Sequence, residues 1–320
     1  MSTTPSEPSE PGDIPALPEK PKKNRTAVIT WIAVAAVVVI VGAVLLVVNL
    51  TKSSDSAGRV TVKIGTTEAS ADYWPILIKL AAAQGIDIQT VNFGDYTQAN
   101  PALSQGQLDL NLFQHVLYLA SFNVSTNDTL TPIGSTVVVP LGVYSQKHTS
   151  LDQIPQGGQV TIPNDPTNQA RALLVLQQAG LIKLKDGGNV LSTPADIDTS
   201  ASKVTVAPVD AKQTVTSLPS ADAAVINNNF ALDAKLDPSK ALYNDDPSKP
   251  AAQPYINAFV SRAADKDNPT YLKIAELYHD PAVTKAVVDA SEGTAVIVTK
   301  PAAELQTILT NLEQTVRDAQ

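Results

Sequence analysis

Eight consecutive residues carry the sharpest chemical signal in the chain. Asn164-Asp165-Pro166-Thr167-Asn168-Gln169-Ala170-Arg171 follows directly on Val160-Thr161-Ile162, a run that reads as a strand. Asp165 is placed to cap a helix, with Pro166 at its first position. Asn168 and Arg171, three residues apart, then share one face of the first turns, beside backbone N–H groups that favour an anion. A guanidinium so placed can grip a carboxylate through two charge-assisted hydrogen bonds. The plainer reading is an arginine on the surface or paired with a nearby acid.

Aromatic residues recur after two other apolar runs, near Val91 and Leu110. They are Tyr96, in Phe93-Gly94-Asp95-Tyr96, and the rings of Phe113-Gln114-His115-Val116-Leu117-Tyr118. Such rings suit the wall of a pocket for an apolar or thioether chain, because sulfur contacts ring edges favourably. Core packing accounts for them equally well. His115 has no serine or acid near it in sequence, so it reads as a hydrogen-bonded structural residue and not as a general base. Asn227, Asn228 and Asn229 follow the apolar run that ends at Ile226. Amides donate and accept, which suits holding an ammonium and a carboxylate together. For Asn228 and Asn229 a turn is the simpler reading. Asn244-Asp245-Asp246 precedes Pro247 and lacks calcium-loop spacing, so it reads as a solvated loop.

Several chemistries are excluded outright. The 320 residues include no cysteine, which removes disulfides, cysteine-ligated metals, thiol nucleophiles and a lipid-bearing cysteine. His115, His148 and His279 lie far apart, without metalloprotease spacing, and no Walker A, GxGxxG, GxSxG or EF-hand pattern occurs. No cofactor or metal is therefore expected. The net charge of −8 gives no footprint for nucleic acid.

The elements that must position these residues read as alternating strands and helices. Val60-Thr61-Val62-Lys63-Ile64 alternates like a strand and meets Gly65-Thr66-Thr67. Ile76, Leu77, Leu80 and Ala81 recur at helical spacing, Pro75 suits a first turn, and Gly85 suits a stop. Ile86 to Val91 is the next strand, completing a parallel β-α-β unit. The pattern returns with a strand from Gln159 to Pro163 and a helix from Pro166 to Ala179, stopped by Gly180. A second lobe is thus expected, entered by a strand from Thr136 to Tyr144 and left by one from Ala221 to Ile226. Two crossings between lobes define a hinge, and ligands of open α/β sheets bind beyond the carboxyl ends of strands.

The first 51 residues have a different character. From Thr26 to Thr51 there is no ionisable side chain. About 25 helical residues at ~1.5 Å each span roughly 37 Å, enough for a ~30 Å hydrocarbon layer. Lys20, Lys22, Lys23 and Arg25 precede the span, against Lys52 and Arg59 after it, which places the N-terminus in the cytoplasm and the rest outside. The alternative, a secretory signal cut near Ser56-Ala57-Gly58, fits less well because the span is longer than such a signal's apolar region. The first 25 residues, rich in Pro, Ser and Glu, are too polar to order themselves.

Taken in order, the motifs resemble one family: the methionine-binding, NlpA-type substrate-binding proteins of ABC importers. The resemblance rests on Val62-Lys63-Ile64-Gly65, Phe93-Gly94-Asp95-Tyr96, Asn100-Pro101-Ala102-Leu103 and the run from Gly106 to His115. It continues through Pro163 to Asn168, Arg171-Ala172-Leu173, Gly180 to Leu184 and Ala224-Val225-Ile226-Asn227, covering roughly residues 60 to 297. It implies a two-lobed α/β fold of the periplasmic-binding-protein type (type II), which closes about a hinge on methionine and docks on a permease driven by a cytoplasmic ATPase. It also implies that Arg171 holds the ligand carboxylate, with Asn168 and Asn227 on its polar groups. Tyr96, Phe113, His115 and Tyr118 would line the side-chain pocket.

Two departures stand out. The family is usually anchored by a lipid on a cysteine, which this chain lacks, so the transmembrane helix takes that part. Beyond the stretch matching the family, Pro301 begins another helix with Leu305, Ile308, Leu309 and Leu312 on one stripe, expected to pack on the first lobe. The expected organisation is a cytoplasmic tail (1–26), a transmembrane helix (27–50), a linker (51–59), lobe 1 (60–140 and 229–320) and lobe 2 (141–228). Rival readings keep the role but exchange methionine for a methionine-containing dipeptide or another amino acid, or place an enzyme on the same scaffold.

Overall fold

The computed structural model describes residues 58–319, so the expected tail, membrane span and most of the linker lie outside the described residues. Among the described residues no helix is long and apolar enough to cross a membrane.

The chain first builds β1 (Val60–Thr66), α1 (Tyr73–Ala83), β2 (Ile86–Asn92), α2 (Ala99–Ser104), β3 (Leu110–Asn111), α3 (Val116–Thr126), β4 (Thr131–Ser135) and β5 (Val137–Val138). It then passes through β6 (Gly142–Tyr144), β7 (Gly158–Pro163), α4 (Pro166–Gln178), β8 (Val204–Val209), α5 (Gln213–Thr216), β9 (Ala223–Ile226), α6 (Asn228–Asp233) and β10 (Tyr243–Asn244). It ends with β11 (Ala258–Ser261), α7 (Pro269–Leu277), α8 (Pro281–Ala290), β12 (Val296–Ile297) and α9 (Ala302–Asp318). One five-stranded sheet has the order β2-β1-β3-β11-β4 and the other β10-β6-β9-β7-β8; β12 pairs with β5. This is the two-sheet α/β architecture expected.

Local sequence explains the elements that matter for the site. In β1, Val62 and Ile64 are buried while Thr61 and Lys63 face out, the period-2 alternation of a half-covered strand. β1 and β2 pair in parallel, joined by α1. Asp165 accepts a hydrogen bond from the Asn168 N–H and caps α4, with Pro166 in its first turn. At the other end, Gly180 takes φ +73°, where a side chain would strain the backbone, and ends the helix.

Each sheet has its own core. Ile64, Trp74, Leu77, Phe259 and Tyr278 fill the first, and Val160, Ile162, Leu173, Leu176 and Val225 the second. Leu305, Ile308 and Leu309 of α9 pack with Leu117, Leu119 and Leu130 of the first lobe, and Leu312 lies partly buried against them. That is where the C-terminal stripe was expected.

Two expectations need correction. The strand anticipated from Thr136 to Tyr144 is two short strands, β5 and β6, separated by Val139-Pro140-Leu141. Pro140 has no N–H for a ladder, so the chain breaks there and crosses between sheets. The return crossing also comes later than the expected boundary at 228/229. β10 pairs antiparallel with β6, and Leu242 and Tyr243 pack on the second core, so the second sheet holds the chain through Asn244.

Candidate ligand-binding cleft

The carboxyl ends of β1, β3, β7 and β9 meet at a cleft between the sheets, enclosing about 740 Å³ of empty space that is partly open to solvent. All seven residues singled out from the sequence line it: Tyr96, Phe113, His115, Tyr118, Asn168, Arg171 and Asn227. Their arrangement divides by lobe.

The second lobe supplies polar groups held from behind. The Asn168 amide nitrogen donates to both carboxylate oxygens of Asp165, each at 3.1 Å. This turns its oxygen outward, where it accepts from the Asn227 side-chain amide at 2.9 Å. The remaining Asn227 oxygen, Oδ1, is buried without a partner in the protein. A buried polar atom in that condition costs stability unless something else bonds it.

One turn along α4, Arg171 is 4% exposed and its Nε and Nη2 donate to the two carboxylate oxygens of Asp245, at 2.8 and 3.1 Å. Nη2 also donates to the Val139 carbonyl at 2.8 Å, and the guanidinium carbon lies 4.2 Å from the centroid of the Tyr255 ring. Nη1 makes no hydrogen bond among the described residues and is left for another acceptor. The ion pair that sequence offered as the plainer reading is therefore present, yet the arginine also faces the cleft. Asp245, read from sequence as a solvated loop residue, orients it. The same carboxylate accepts from the Leu141 N–H at 2.7 Å, tying Arg171 to the crossing segment.

The first lobe supplies rings. Tyr96, Phe113 and Tyr118 lie mutually 5.7 to 6.1 Å apart by centroid, and Phe230 of α6 approaches Tyr96 at 5.2 Å. These are ordinary aromatic packing distances. His115 caps α3: its Nδ1 accepts from the Tyr118 N–H at 3.0 Å, so Nε2 carries the proton and points at the Asn168 oxygen, 3.4 Å away. Burial, and after it the Arg171 guanidinium, push its pKa down to about 3. It is a neutral donor toward the Asn168 oxygen. Beneath the loop, Asn100, Asn111 and Gln114 bond one another through four side-chain hydrogen bonds of 2.6 to 2.9 Å and fix its course.

Several lining residues were not singled out from sequence. Asn229, read there as a turn, joins the lobes: its oxygen accepts from the Tyr96 hydroxyl at 2.5 Å and its nitrogen donates to Thr67 Oγ1 at 3.3 Å. Asn257, beside β11, and Thr136 also line the cleft, and the Thr136 hydroxyl is buried without a partner. Glu68, just beyond β1, lines it from the first lobe. A place shortly after a strand is the signal that marks Tyr96 and Arg171, and Glu68 carries it equally. Asp245 and Asn257 carry no such signal, because they return from distant sequence.

Known proteins resemble this chain in sequence and in fold. The family described as NlpA lipoprotein matches residues 62–299. The D-methionine-binding lipoprotein MetQ of Salmonella typhi is 39% identical over 215 residues, covering 66% of this chain and 78% of that protein. A nutrient binding protein from Burkholderia cenocepacia, solved bound to methionine, is 38% identical with a TM-score of 0.69, covering 74% of this chain and 99% of that one. The substrate binding protein of a methionine transporter from Streptococcus pneumoniae is 34% identical, also with a TM-score of 0.69, covering 74% and 95%.

Proposed function

The chain belongs to the NlpA lipoprotein family, and from that premise we propose that it is a binding protein, not an enzyme, that captures methionine outside the cell for an ABC importer. The observation that carries this reading is the juxtaposition of Arg171 Nη1 and the unpartnered Asn227 Oδ1 with a wall of aromatic rings in one cleft. An arginine donor suits a carboxylate, amide oxygens suit an ammonium, and rings suit a thioether. Methionine carries all three groups. The names of the relatives from Salmonella typhi, Burkholderia cenocepacia and Streptococcus pneumoniae point the same way.

The rest of the assembly follows from the role. A permease and its cytoplasmic ATPase receive the closed, liganded form, and the lobes move about the segment Val139-Pro140-Leu141 and the return before β11. Residues 27–50 act as a single-pass tether with the N-terminus in the cytoplasm. The support for this is the uncharged stretch from Thr26 to Thr51, in a chain with no cysteine to carry a lipid.

Titration calorimetry of the detergent-solubilised full chain tests the reading. L-methionine is expected to bind with 1:1 stoichiometry, and the protein to sediment with membranes until residues 27–50 are deleted. Binding of a dipeptide or another amino acid in place of methionine would overturn the ligand assignment. Sedimentation unchanged by the deletion would overturn the tether.

A further inference from the structure

Two charged side chains line the cleft, one from each lobe: Arg171 from α4 and Glu68 from the end of β1. Arg171 is already satisfied in part by Asp245. Glu68 is not paired with any cation among the described residues, and its one side-chain hydrogen bond comes from the Tyr73 hydroxyl to Oε1 at 2.8 Å. Oε2 has no hydrogen-bond partner among those residues. The backbone around the carboxylate is pinned on three sides. The Glu68 N–H donates to Thr66 Oγ1 at 3.2 Å, and its carbonyl accepts from the Trp74 indole N–H at 3.1 Å and from the Ala71 N–H at 3.0 Å. A carboxylate aimed from so fixed a loop is a positioned group and not a surface side chain that happens to fold inward.

We propose that Glu68 is the ammonium-binding subsite of this cleft, so that the ligand must be a zwitterion whose free amine engages lobe 1 while its carboxylate engages lobe 2. The inference rests on the amino-acid-binding reading and narrows it to ligands with an unblocked amine. It also gives closure a driving force, since one small molecule with two opposite charges would bridge the lobes, each charge against its complement.

The surroundings of Glu68 support this. Tyr73 of α1, Tyr96 of the β2–α2 loop and Tyr278 beyond α7 face it with neutral hydroxyl groups, and Asp233 of α6 faces it with a like charge. Among the described residues, no element packed around it brings a positive charge. Desolvation, opposed by the Tyr73 hydrogen bond and reinforced by Asp233, pushes its pKa up to about 7. An anion in such a place is costly when alone and favourable once a cation sits beside it. Glu68 is only half-buried because part of its surface faces the cleft, where such a cation would sit.

Calorimetry on the detergent-solubilised full chain, comparing L-methionine with 4-(methylthio)butanoate, tests the proposal. The second compound is smaller, so loss of binding cannot be steric. It is expected to bind at least about 30-fold more weakly than methionine, the effect of removing one partner of a buried charge pair. Glu68→Gln should weaken methionine by a similar factor and leave 4-(methylthio)butanoate unchanged or tighter. Below pH 7 the ligand must displace the Glu68 proton, so methionine affinity should fall about tenfold per pH unit. At pH 6, buffers of different ionisation enthalpy should report nearly one proton released, and Glu68→Gln should abolish that release. Methionine binding that is indifferent to Glu68→Gln, with no proton released by the wild type, would overturn this inference and leave the methionine reading standing. Failure of the wild type to bind methionine at all would instead overturn the reading on which it rests.

Discussion

The two walls of the cleft are built on opposite plans. On the second lobe, Asn168 and Arg171 each have a carboxylate behind them, Asp165 and Asp245, that fixes which atoms face inward. On the first lobe, Tyr96, Phe113 and Tyr118 are held chiefly by one another's rings. Hydrogen bonds specify direction closely, whereas ring contacts tolerate small shifts. The difference assigns the carboxylate of an amino acid to the second lobe and its variable side chain to the rings of the first, beside the Glu68 carboxylate proposed for its amine. Charge recognition is then shared between the walls, and selectivity among side chains resides in the rings of the first.

The largest expected effect breaks the polar wall. Arg171→Ala should weaken methionine binding by about 2–5 kcal/mol, read by calorimetry. It should not leave the fold untouched, because Asp245 would lose its partner in a site where its side chain is 15% exposed. Breaking a buried pair costs roughly 3–5 kcal/mol, with the lower end expected here because Asp245 keeps some contact with water. Adding Asp245→Asn should recover most of the thermal stability and none of the affinity. Recovery of affinity in the double variant would show that Arg171 serves the fold alone.

A smaller effect is expected at the seam between the walls. Asn229→Ala removes two of the bonds by which α6 meets the first lobe, to the Tyr96 hydroxyl and to Thr67, and leaves the one from Ser70 to Asp233. The closed form should lose about 1–3 kcal/mol. The loss should appear as faster methionine dissociation in stopped-flow measurements, with association little changed. A loss confined to association would mean that Asn229 acts before closure, in the open cleft.

Legibility in the sequence divides along the same line. The α4 segment was legible because helix starts are written locally: Asp165, Pro166, Asn168 and Arg171 fall within seven residues, and their chemistry needs nothing from elsewhere. The rings were legible as candidates because they come after strands, though only packing separates a pocket wall from a core. Asp245 was not, since its role depends on β10 staying with the second sheet, a pairing set by two residues, Tyr243 and Asn244. Asn229 was misread for a related reason. A run of three asparagines has the composition of a turn, and only the approach of Thr67 and Tyr96 from the other lobe gives one of them a different part. The β-α-β unit was legible in the first lobe and β7 and α4 in the second, whereas β8 was not read and the crossings were blurred because Pro140 cuts one predicted strand into two short ones.

The smallest effect tests whether the ring-lined part of the first lobe's wall is neutral where it is proposed to meet the ligand side chain. His115 is held at about 3 in the folded protein, chiefly by burial, against about 6.5 when unfolded. Between those values the unfolded chain binds a proton that the folded chain does not, so this group's contribution to stability is full above pH 6.5 and is lost as pH falls. Glu68 has the opposite sign. Its folded value of about 7 lies above the ordinary 4.5, so the folded chain holds the extra proton and stability declines as pH rises through that window. Near pH 6 the two slopes oppose each other, and a melting curve of the wild type alone would hide both. His115→Asn separates them, since asparagine can still cap α3 but has no ring to titrate. Relative to wild type, the variant should gain about 0.8 kcal/mol at pH 6 over its value at pH 8, measured by denaturant unfolding at each pH. A difference that stays constant from pH 8 to pH 6 would mean that His115 takes up its proton in the folded protein, placing a charge in the wall that the ligand side chain is proposed to meet.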